Sequence, residues 1–142
     1  KIGRKCVFLA RLHPNIASKE SELKKMFPAD TIYASSYPDM QELLYATDLL
    51  VTDYSSSMFD FMYSGKPVLM YVPDWDSYDR GFYFKKEDIP FIMIDKNEDL
   101  QTAINDLDSE KTQMKRTAFI ENIKSFEGGN ASYKTIKKLY EY

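Results

Sequence analysis

The sequence predicts an α/β fold in which helices cover a doubly wound parallel sheet. Short apolar runs alternate with amphipathic segments along its 142 residues, a pattern typical of helices packed on a parallel sheet. Hydrophobic residues make up 44% of the chain and charged residues 29%, the composition of a globular protein. Because this length suits one domain, we expect residues 1–142 to form a single unit with a helical tail over about 110–142.

Five short apolar runs are the expected strands of this sheet. The first ends before Pro14, because proline cannot continue regular strand pairing. The second is weaker in apolar residues, whereas the fourth is rich in β-branched and aromatic residues, which favour strands. The predicted strands cover residues 5–10, 31–34, 49–52, 67–72 and 91–94.

Helices are expected between and after these strands, and capping residues locate their ends. Ser18 or Ser21 can cap a short helix that Pro28 closes, and Asp39 can cap the next one. The helix after the third strand begins within a serine-rich segment and stops at Ser64-Gly65. The predicted helices reach residue 27 and cover residues 40–46, about 55–63, 97–107, 110–125 and 131–142.

Composition excludes several classes of protein. The net charge is −3, and residues 111–142 hold seven Lys and Arg against three acidic residues, so the remainder is acidic and offers no strongly basic surface for nucleic acid. A solvated helical face explains the basic tail as well as contact with anionic lipid does. The single cysteine, Cys6, excludes an internal disulfide and suits a reducing cytosol. No apolar run spans a bilayer, no signal peptide is expected, and the absence of an initial Met suggests an excised piece of a longer protein.

The segment that leads from the third strand into its helix is the strongest candidate for a phosphate site. Thr52, Asp53, Ser55 and Ser56 lie there, and in doubly wound sheets ligands bind beyond the carboxyl ends of the strands. Hydroxyl groups and the unpaired amides of a helix N-terminus suit phosphate oxygens. Walker glycines and their lysine are missing, so this is not an ATPase P-loop. Ordinary helix capping by serine and aspartate is the alternative.

Asp60 lies near the first or second turn of the same helix. Its carboxylate can accept a hydrogen bond from a ligand hydroxyl or from a neighbouring hydroxyl that binds the ligand. It can equally be the acid of a capping box that begins at Ser57. The sequence leaves both interpretations open.

A second group of polar residues follows the first two strands. His13, the one histidine, comes directly after the first strand with Arg11, and an imidazole can donate to a phosphate or act as a general acid. Arg11 can instead pair with a buried acid, and a lone histidine is often structural. Ser35 and Ser36 follow the second strand and can contact a ribose or a base. The sequence does not favour a Ser/His/Asp triad, since no Gly-x-Ser-x-Gly elbow exists and His13 precedes all the plausible nucleophiles.

Residues 73–88 are expected to form a long loop that contributes to the site. Loops of this length are uncommon unless they serve a site or are disordered, and the aromatic residues of this one argue against disorder. Arg80 offers a planar guanidinium for phosphate or carboxylate, and Gly81 permits close backbone approach. The loop carboxylates do not have the spacing of an EF-hand, and ion pairing is their default role, so no metal site is predicted.

Several spaced motifs together resemble one family, the CDP-glycerol glycerophosphotransferases, which include teichoic acid polymerases and primases. Thr52-Asp53-Tyr54-Ser55-Ser56 followed by Asp60 is similar to the TDYSS-x-x-x-D segment of that family, and Arg11-Leu12-His13-Pro14 looks like its R-x-H element. The similarity spans about residues 5–107. Its further motifs are Gly65-Lys66-Pro67-Val68, Pro73-Asp74, Tyr78 and Arg80-Gly81-Phe82-Tyr83.

The resemblance implies a GT-B enzyme built from two Rossmann-like domains, of which residues 1–142 are similar to the C-terminal, nucleotide-binding one. Members of the family transfer glycerol phosphate, or in some cases ribitol phosphate, from a CDP-alditol to a hydroxyl of a membrane-anchored acceptor and release CMP. The implied partners are CDP-glycerol or CDP-ribitol, a lipid-linked polymer acceptor and an N-terminal domain. No cofactor and no nucleic acid are expected. The implied location is the cytoplasmic face of the bacterial membrane.

Residue roles carry over by position within these motifs. His13 is expected to contact or protonate the donor phosphate, Ser55 and Ser56 to bind the pyrophosphate, and Asp60 and Arg80 to shape the donor pocket. The family's other catalytic histidine belongs to the N-terminal domain, and this sequence has no second histidine, so the fragment alone is expected to be inactive. Residues 87–91 lack a glycine that the corresponding family segment carries.

Two other functions remain open on the sequence. The same helix N-terminus can bind a UDP-sugar in a GT-B glycosyltransferase or epimerase. A non-catalytic Rossmann-like module that mediates assembly is the second alternative.

Overall fold

A computed structural model describes residues 6–141 as alternating helices and short strands. The strands are β1 (Leu9–Ala10), β2 (Ile32–Tyr33), β3 (Leu50–Thr52), β4 (Val68–Tyr71) and β5 (Ile92–Ile94). The helices are α1 (Pro14–Ala17), α2 (Glu20–Leu23), α3 (Met40–Ala46), α4 (Ser57–Met62), α5 (Leu100–Asp106), α6 (Glu110–Asn122) and α7 (Ala131–Tyr140). Single 3₁₀ turns occupy Lys24–Met26, Trp75–Ser77, Lys86–Asp88 and Asn97–Asp99.

All strand pairs are parallel, and their hydrogen bonds form two groups. One is a three-stranded sheet in the order β3-β4-β5, in which Leu69 lies opposite Val51 on one side and Ile92 on the other. The other is the pair β1-β2, in which Leu9 lies opposite Ile32. The chain order of each pair requires a crossover, because parallel neighbours cannot be joined by a hairpin.

The central strand β4 shows why this is a doubly wound arrangement. Val68 and Met70 pack into a cluster on one face of the sheet, whereas Leu69 packs into a second cluster on the other face. The first cluster includes residues of α3, α4 and α6, and the second includes Ala103 of α5. Since alternate residues of a strand point to opposite faces, helices cover both sides of the sheet. The α/β class and parallel sheet predicted from the sequence are confirmed.

The first sheet is shorter than the sequence predicts. The expected strand over 5–10 is regular only at Leu9–Ala10, although the Ile32 N–H also donates to the carbonyl of Phe8 at 2.8 Å. Lys5 lies outside the described residues. Leu9 is 41% exposed and Ile32 54%, so these apolar strand residues have little to pack against. Propensity alone does not extend a strand that lacks a covered face.

Two further elements differ from expectation. Pro14 was predicted only to stop the first strand, but it also begins α1, because proline is well tolerated at the first position of a helix. The loop over 73–88 is not wholly irregular, since it contains the 3₁₀ turns Trp75–Ser77 and Lys86–Asp88. Trp75, Phe82 and Phe84 of this loop pack on the sheet cluster, in agreement with the prediction that the loop is ordered.

The C-terminal helices follow the prediction with small changes at their ends. Helix α6 ends at Asn122 rather than near Ser125, and Lys124 beyond it adopts a φ of 52°. Helix α7 begins at Ala131 after Gly128 and Gly129, where the sequence predicted a break. No helix among residues 6–141 is long and apolar enough to cross a membrane.

Candidate functional site

The start of α4 lies at the carboxyl end of β3, where the sequence predicts phosphate binding. Ser55 Oγ lies 2.9 Å from Ser57 Oγ and accepts a bond from the Ser57 N–H. The N–H groups of Met58 and Phe59 donate to the carbonyls of Ser55 and Ser56. Thus the first amides of α4 already have partners within the turn, and local capping occupies the hydroxyl of Ser55. The exposed Ser56 is the N-cap residue, and its side chain makes no capping bond.

Asp60 lies exposed in the first turn of α4. The capping box considered from the sequence is not formed, because Ser56 rather than Ser57 occupies the N-cap position. The Ser57 N–H donates to the hydroxyl of Ser55. Among residues 6–141 no hydrogen bond or ion pair involves the Asp60 carboxylate, which leaves its oxygens available as acceptors.

Tyr54 connects the start of α4 to the long loop after β4. Its hydroxyl donates to Asp74 Oδ1 at 2.8 Å, and its ring stacks on that of Tyr78 with a centroid distance of 3.6 Å and an interplanar angle of 12°. The Trp75 ring lies 6.0 Å away. Burial raises the pKa of the Tyr54 hydroxyl, and the hydrogen bond to the Asp74 carboxylate raises it further. The hydroxyl is therefore held in its protonated, donating form.

An open cleft of about 190 Å³ lies beside this aromatic contact. Gly81 lines it with a φ of +68°, a conformation that side chains rarely adopt, and Arg80 is exposed next to it. Lys86 Nζ lies 5.8 Å from the centre of the Trp75 ring. Cationic and aromatic groups are therefore combined at this wall. The lining residues are Tyr54, Trp75, Tyr78, Gly81, Phe82, Phe84, Lys85 and Lys86.

Arg11 and Ser35 hold the segments that follow β1 and β2 together. Arg11 Nη1 donates to the carbonyl of Ala34 at 3.1 Å and to that of Tyr37 at 2.7 Å. The Leu12 N–H donates to Ser35 Oγ at 3.2 Å. The buried acid considered as a partner of Arg11 is thus replaced by two backbone carbonyls. Both side chains have a structural role, and the hydroxyl of Ser35 keeps its proton for a further bond.

His13 is the N-cap of α1 and is exposed. Its Nδ1 accepts a bond from the Asn15 N–H at 3.2 Å. An accepting Nδ1 places the proton of a neutral imidazole on Nε2, so that Nε2 is the donating nitrogen. Ser36 is exposed in the turn after β2.

The predicted site residues therefore form two groups, each at the carboxyl end of its own sheet. The groups are Arg11, His13, Ser35 and Ser36 at β1-β2, and Thr52, Asp53, Ser55, Ser56, Asp60, Arg80 and Gly81 around β3-β4. Within the part of the chain that the structure describes, no hydrogen bond or ion pair joins one group to the other. Their roles in ligand binding stay predictions.

Sequence reasoning placed Tyr54, Asp74 and Tyr78 in candidate motifs but missed the contact that joins them. Tyr54 lies inside the serine-rich motif, in which the sequence analysis assigned roles only to the threonine, serine and aspartate side chains. The signal that could have found it is an aromatic residue next to a helix start, combined with a loop unusually rich in aromatic residues. The described residues also include no group of three or more His, Cys, Asp or Glu that could hold a metal ion.

Comparison with known proteins identifies the family. A model of the CDP-glycerol:poly(glycerophosphate) glycerophosphotransferases matches residues 1–141. The chain belongs to this family. Among glycerophosphotransferases, it is 31% identical over 147 residues to the teichoic acid poly(glycerol phosphate) polymerase of Bacillus subtilis, a match that covers 99% of this chain and 19% of that protein. It is 32% identical over 141 residues to the teichoic acid glycerol-phosphate transferase of Staphylococcus aureus, covering 95% of this chain and 35% of the transferase.

Solved structures of the wall teichoic acid polymerase TagF share the fold. A histidine-to-asparagine variant of TagF superposes with a TM-score of 0.73 at 33% identity, over 99% of this chain and 37% of that one. The same kind of variant soaked with CDPG gives a TM-score of 0.76 at 31% identity, over 98% and 35% of the two chains. The predicted Rossmann-like α/β class of a GT-B glycosyltransferase is thereby confirmed. The chain spans between about a fifth and somewhat over a third of the proteins it matches.

Proposed function

We propose that this chain is the donor-binding domain of a longer, two-domain transferase that moves glycerol phosphate from CDP-glycerol to a teichoic acid or related polymer and releases CMP. The observation that carries the proposal is the family match over residues 1–141. The CDPG-soaked structure of TagF supports the choice of donor. The placement of hydroxyl, guanidinium and imidazole groups at the carboxyl ends of parallel strands agrees with it, since nucleotides bind there in such folds.

The proposed reaction is a displacement at the β-phosphorus of the donor. An acceptor hydroxyl oxygen forms the new P–O bond, the P–O bond to CMP breaks, and CMP leaves with the bonding electron pair. The acceptor hydroxyl passes its proton to a base outside residues 1–142 or to water, and negative charge grows on the departing phosphate. In this proposal Ser55, Ser56 and the donating Nε2–H of His13 stabilise that charge, and positioning supplies most of the remaining acceleration. The reaction as proposed requires no cofactor.

His13 is the residue that we propose as the general acid, and its replacement tests the chemistry. We expect His13→Asn in the full-length enzyme to lower turnover by more than ~100-fold, the scale of general acid catalysis. Asparagine is a good N-cap residue, so this variant keeps the cap of α1 while it removes the ionisable ring. A matched unfolding curve for the wild type and His13→Asn is the control. Near-normal turnover in His13→Asn would remove His13 from the chemistry.

Isothermal titration distinguishes the proposed donor from the alternatives. CDP-glycerol, CDP-ribitol and UDP-sugars are titrated into the protein, because matched relatives include ribitol-phosphate polymerases as well as glycerol-phosphate ones. Binding of a UDP-sugar but of neither CDP-alditol would favour a sugar-nucleotide enzyme. A folded protein without affinity for any nucleotide would favour a non-catalytic module.

A substitution at Ser56 can separate an effect on donor binding from an effect on stability in the same titration. Because its side chain makes no capping bond, Ser56→Ala should weaken CDP-glycerol binding with little change in stability. Ser55→Ala is the matched variant that also loses the bonds to Ser57, so it should lower the unfolding free energy as well. Equal affinity of Ser56→Ala and the wild type would exclude the hydroxyl of Ser56 from the donor site.

We further propose that the acceptor is lipid-linked and that the protein works at the cytoplasmic face of the membrane, with α7 against anionic lipid. Helix α7 is fully exposed, and helical spacing places Tyr133, Ile136 and Tyr140 on one side. Lys134 and Lys138 lie on the opposite side of the helix, and Lys137 lies at the boundary beside Tyr133. A basic amphipathic helix is typical of such a surface contact.

Sedimentation with lipid vesicles tests this location. The protein should sediment with vesicles that contain anionic phospholipid, less with purely zwitterionic ones, and less at high salt. A Lys134→Gln/Lys137→Gln variant should sediment less than the wild type. Sedimentation that does not depend on lipid charge or on these lysines would contradict the proposal.

A further inference from the structure

The aromatic contact at Tyr54 reaches both ends of the segment that carries Arg80. Tyr54 bonds Asp74, which precedes the 3₁₀ turn Trp75–Ser77, and stacks on Tyr78, which follows it. Its ring also lies 6.4 Å from that of Phe82. Arg80 and Gly81 thus sit between two residues, Tyr78 and Phe82, whose rings both contact Tyr54. Tyr54 therefore contacts the chain on both sides of Arg80.

Tyr54 itself is placed between Asp53 and Ser55, at the entrance to α4. The loop and the helix start come from different parts of the chain, since 20 residues separate Tyr54 from Asp74. Stacked aromatic pairs and hydrogen bonds to a carboxylate are among the stronger local contacts. The hydroxyl proton is directed at Asp74, so Tyr54 has no proton to offer a ligand in this arrangement. Its effect on a ligand must therefore act through the position of its neighbours.

We infer that Tyr54 is a positioning residue of the donor site: through Asp74 and Tyr78 it holds the Arg80–Gly81 backbone at a fixed place relative to the entrance of α4. The inference rests on the proposed function, because it requires that this entrance and Arg80 contact the same donor. It adds a residue to the site whose role is neither binding nor proton transfer. A donor bound at both places then needs no rearrangement of the loop.

Tyr54→Phe tests this role, because it removes the hydroxyl and keeps the ring. We expect the Kd for CDP-glycerol and the KM of the full-length enzyme to rise about tenfold, the scale of one charge-assisted hydrogen bond, while kcat changes by less than about threefold. Trp75 is the only tryptophan in the sequence and packs 6.0 Å from Tyr54. Its fluorescence should therefore become easier to quench with acrylamide in the variant, and addition of CDP-glycerol should reverse this change.

Three variants serve as controls. Tyr83→Phe makes the same change in the same loop, where the ring is 97% exposed, and should leave Kd, KM and Trp75 quenching unchanged. Asp74→Ala removes the same hydrogen bond from its exposed side and should reproduce Tyr54→Phe, which keeps the test valid should Tyr54→Phe fold poorly. The Tyr54→Phe/Asp74→Ala double variant should bind no more weakly than either single variant, because one bond cannot be lost twice.

The outcomes separate this inference from the proposed function. Absence of CDP-glycerol binding by the folded wild-type protein overturns the proposed function, and with it the role of Tyr54. Binding by the wild type that Tyr54→Phe and Asp74→Ala both match overturns the role of Tyr54 alone. The role of Tyr54 is also overturned if the two substitutions weaken CDP-glycerol binding additively in the double variant. A fall in kcat with unchanged KM would also overturn it, since that result assigns Tyr54 to the chemical step.

Discussion

The two sheets of this protein carry site residues of the same kind but are held by different forces. Around β3-β4-β5 the core is closed, and Met58, Leu69 and Met70 have no exposed surface. Around β1-β2 the apolar strand residues are about half exposed, as Leu9 and Ile32 show. Burial of apolar surface therefore stabilises one half of the candidate site, whereas directional polar bonds stabilise the other.

This difference in packing affects how each half of the candidate site can respond to a ligand. The loop after β4 is fixed by stacked rings and by packing on a large cluster, so its geometry is set before a ligand arrives. The segments after β1 and β2 are tied by Arg11 and Ser35 to neighbouring backbone groups. Such bonds exchange with water at modest cost, and regions with few buried apolar contacts open more readily. The half that contains His13 is therefore the more adaptable one.

Phe61→Ala probes the closed core and should have the largest effect. Phe61 is 1% exposed within the cluster that joins α4 to β4. Its truncation should lower the unfolding free energy by about 3–5 kcal/mol, because both the transfer energy and a new cavity count against the folded state. Urea unfolding followed by circular dichroism measures this change.

The matched variant on the other sheet is Ile32→Ala. Because Ile32 is already 54% exposed, this substitution should lower the unfolding free energy by no more than about 1 kcal/mol. Similar losses of unfolding free energy in the two variants would show that β1-β2 is buried to the same extent as the larger sheet. This result would contradict the difference between the two sheets.

Local sequence signals predicted the larger sheet and its helices well. Asp39 caps α3 through bonds to the N–H groups of Gln41 and Glu42, and the helix spans Met40–Ala46 as expected. The apolar run over 67–72 also predicted a strand, and the structure forms β4 there with Val68, Leu69 and Met70 buried. The first strand was predicted too long because an apolar run does not tell whether another element covers it. Helix α1 was missed because Pro14 was interpreted only as a terminator.

The sequence predicted which strand ends carry the candidate site residues. It did not predict which of these residues contact one another. Parallel topology alone places Thr52 and Arg11 at carboxyl ends, so their location follows from the order of strands and helices. The bond from Tyr54 to Asp74 and the bonds from Arg11 to carbonyls 23 and 26 residues away have no local signature. Such pairs depend on how two loops meet, which periodicity and capping patterns do not encode.

Arg11→Met probes the polar half and should have a smaller, local effect. Methionine keeps much of the aliphatic length but cannot donate to the carbonyls of Ala34 and Tyr37. We expect about 1–2 kcal/mol of local destabilisation, which corresponds to roughly tenfold faster hydrogen exchange at the amides of Ile32 and Ala34. Amides of β4 should exchange at the wild-type rate, and equal acceleration in both sheets would contradict the division between them.

The bond from Tyr54 to Asp74 should have a small effect on stability, and this effect has a defined pH dependence. Below pH ~10 the Tyr54 to Asp74 bond should make the wild type about 1 kcal/mol more stable than Tyr54→Phe. The unfolded chain releases the tyrosine proton near pH 10, whereas burial and Asp74 raise the pKa of Tyr54 in the folded state. Above pH 10 the unfolded state therefore holds fewer protons than the folded state, and the unfolding free energy of the wild type falls as pH rises.

The difference in unfolding free energy between the wild type and Tyr54→Phe should therefore shrink as pH rises from 9 to 11. Urea midpoints of both proteins at each pH measure it, and groups common to the two proteins cancel in the difference. A gap that stays constant or widens over this range would mean that the hydroxyl of Tyr54 ionises as readily in the folded protein as in the unfolded chain. The half of the site around Tyr54 would then lack the partly buried tyrosine contact that distinguishes it from the half around Arg11.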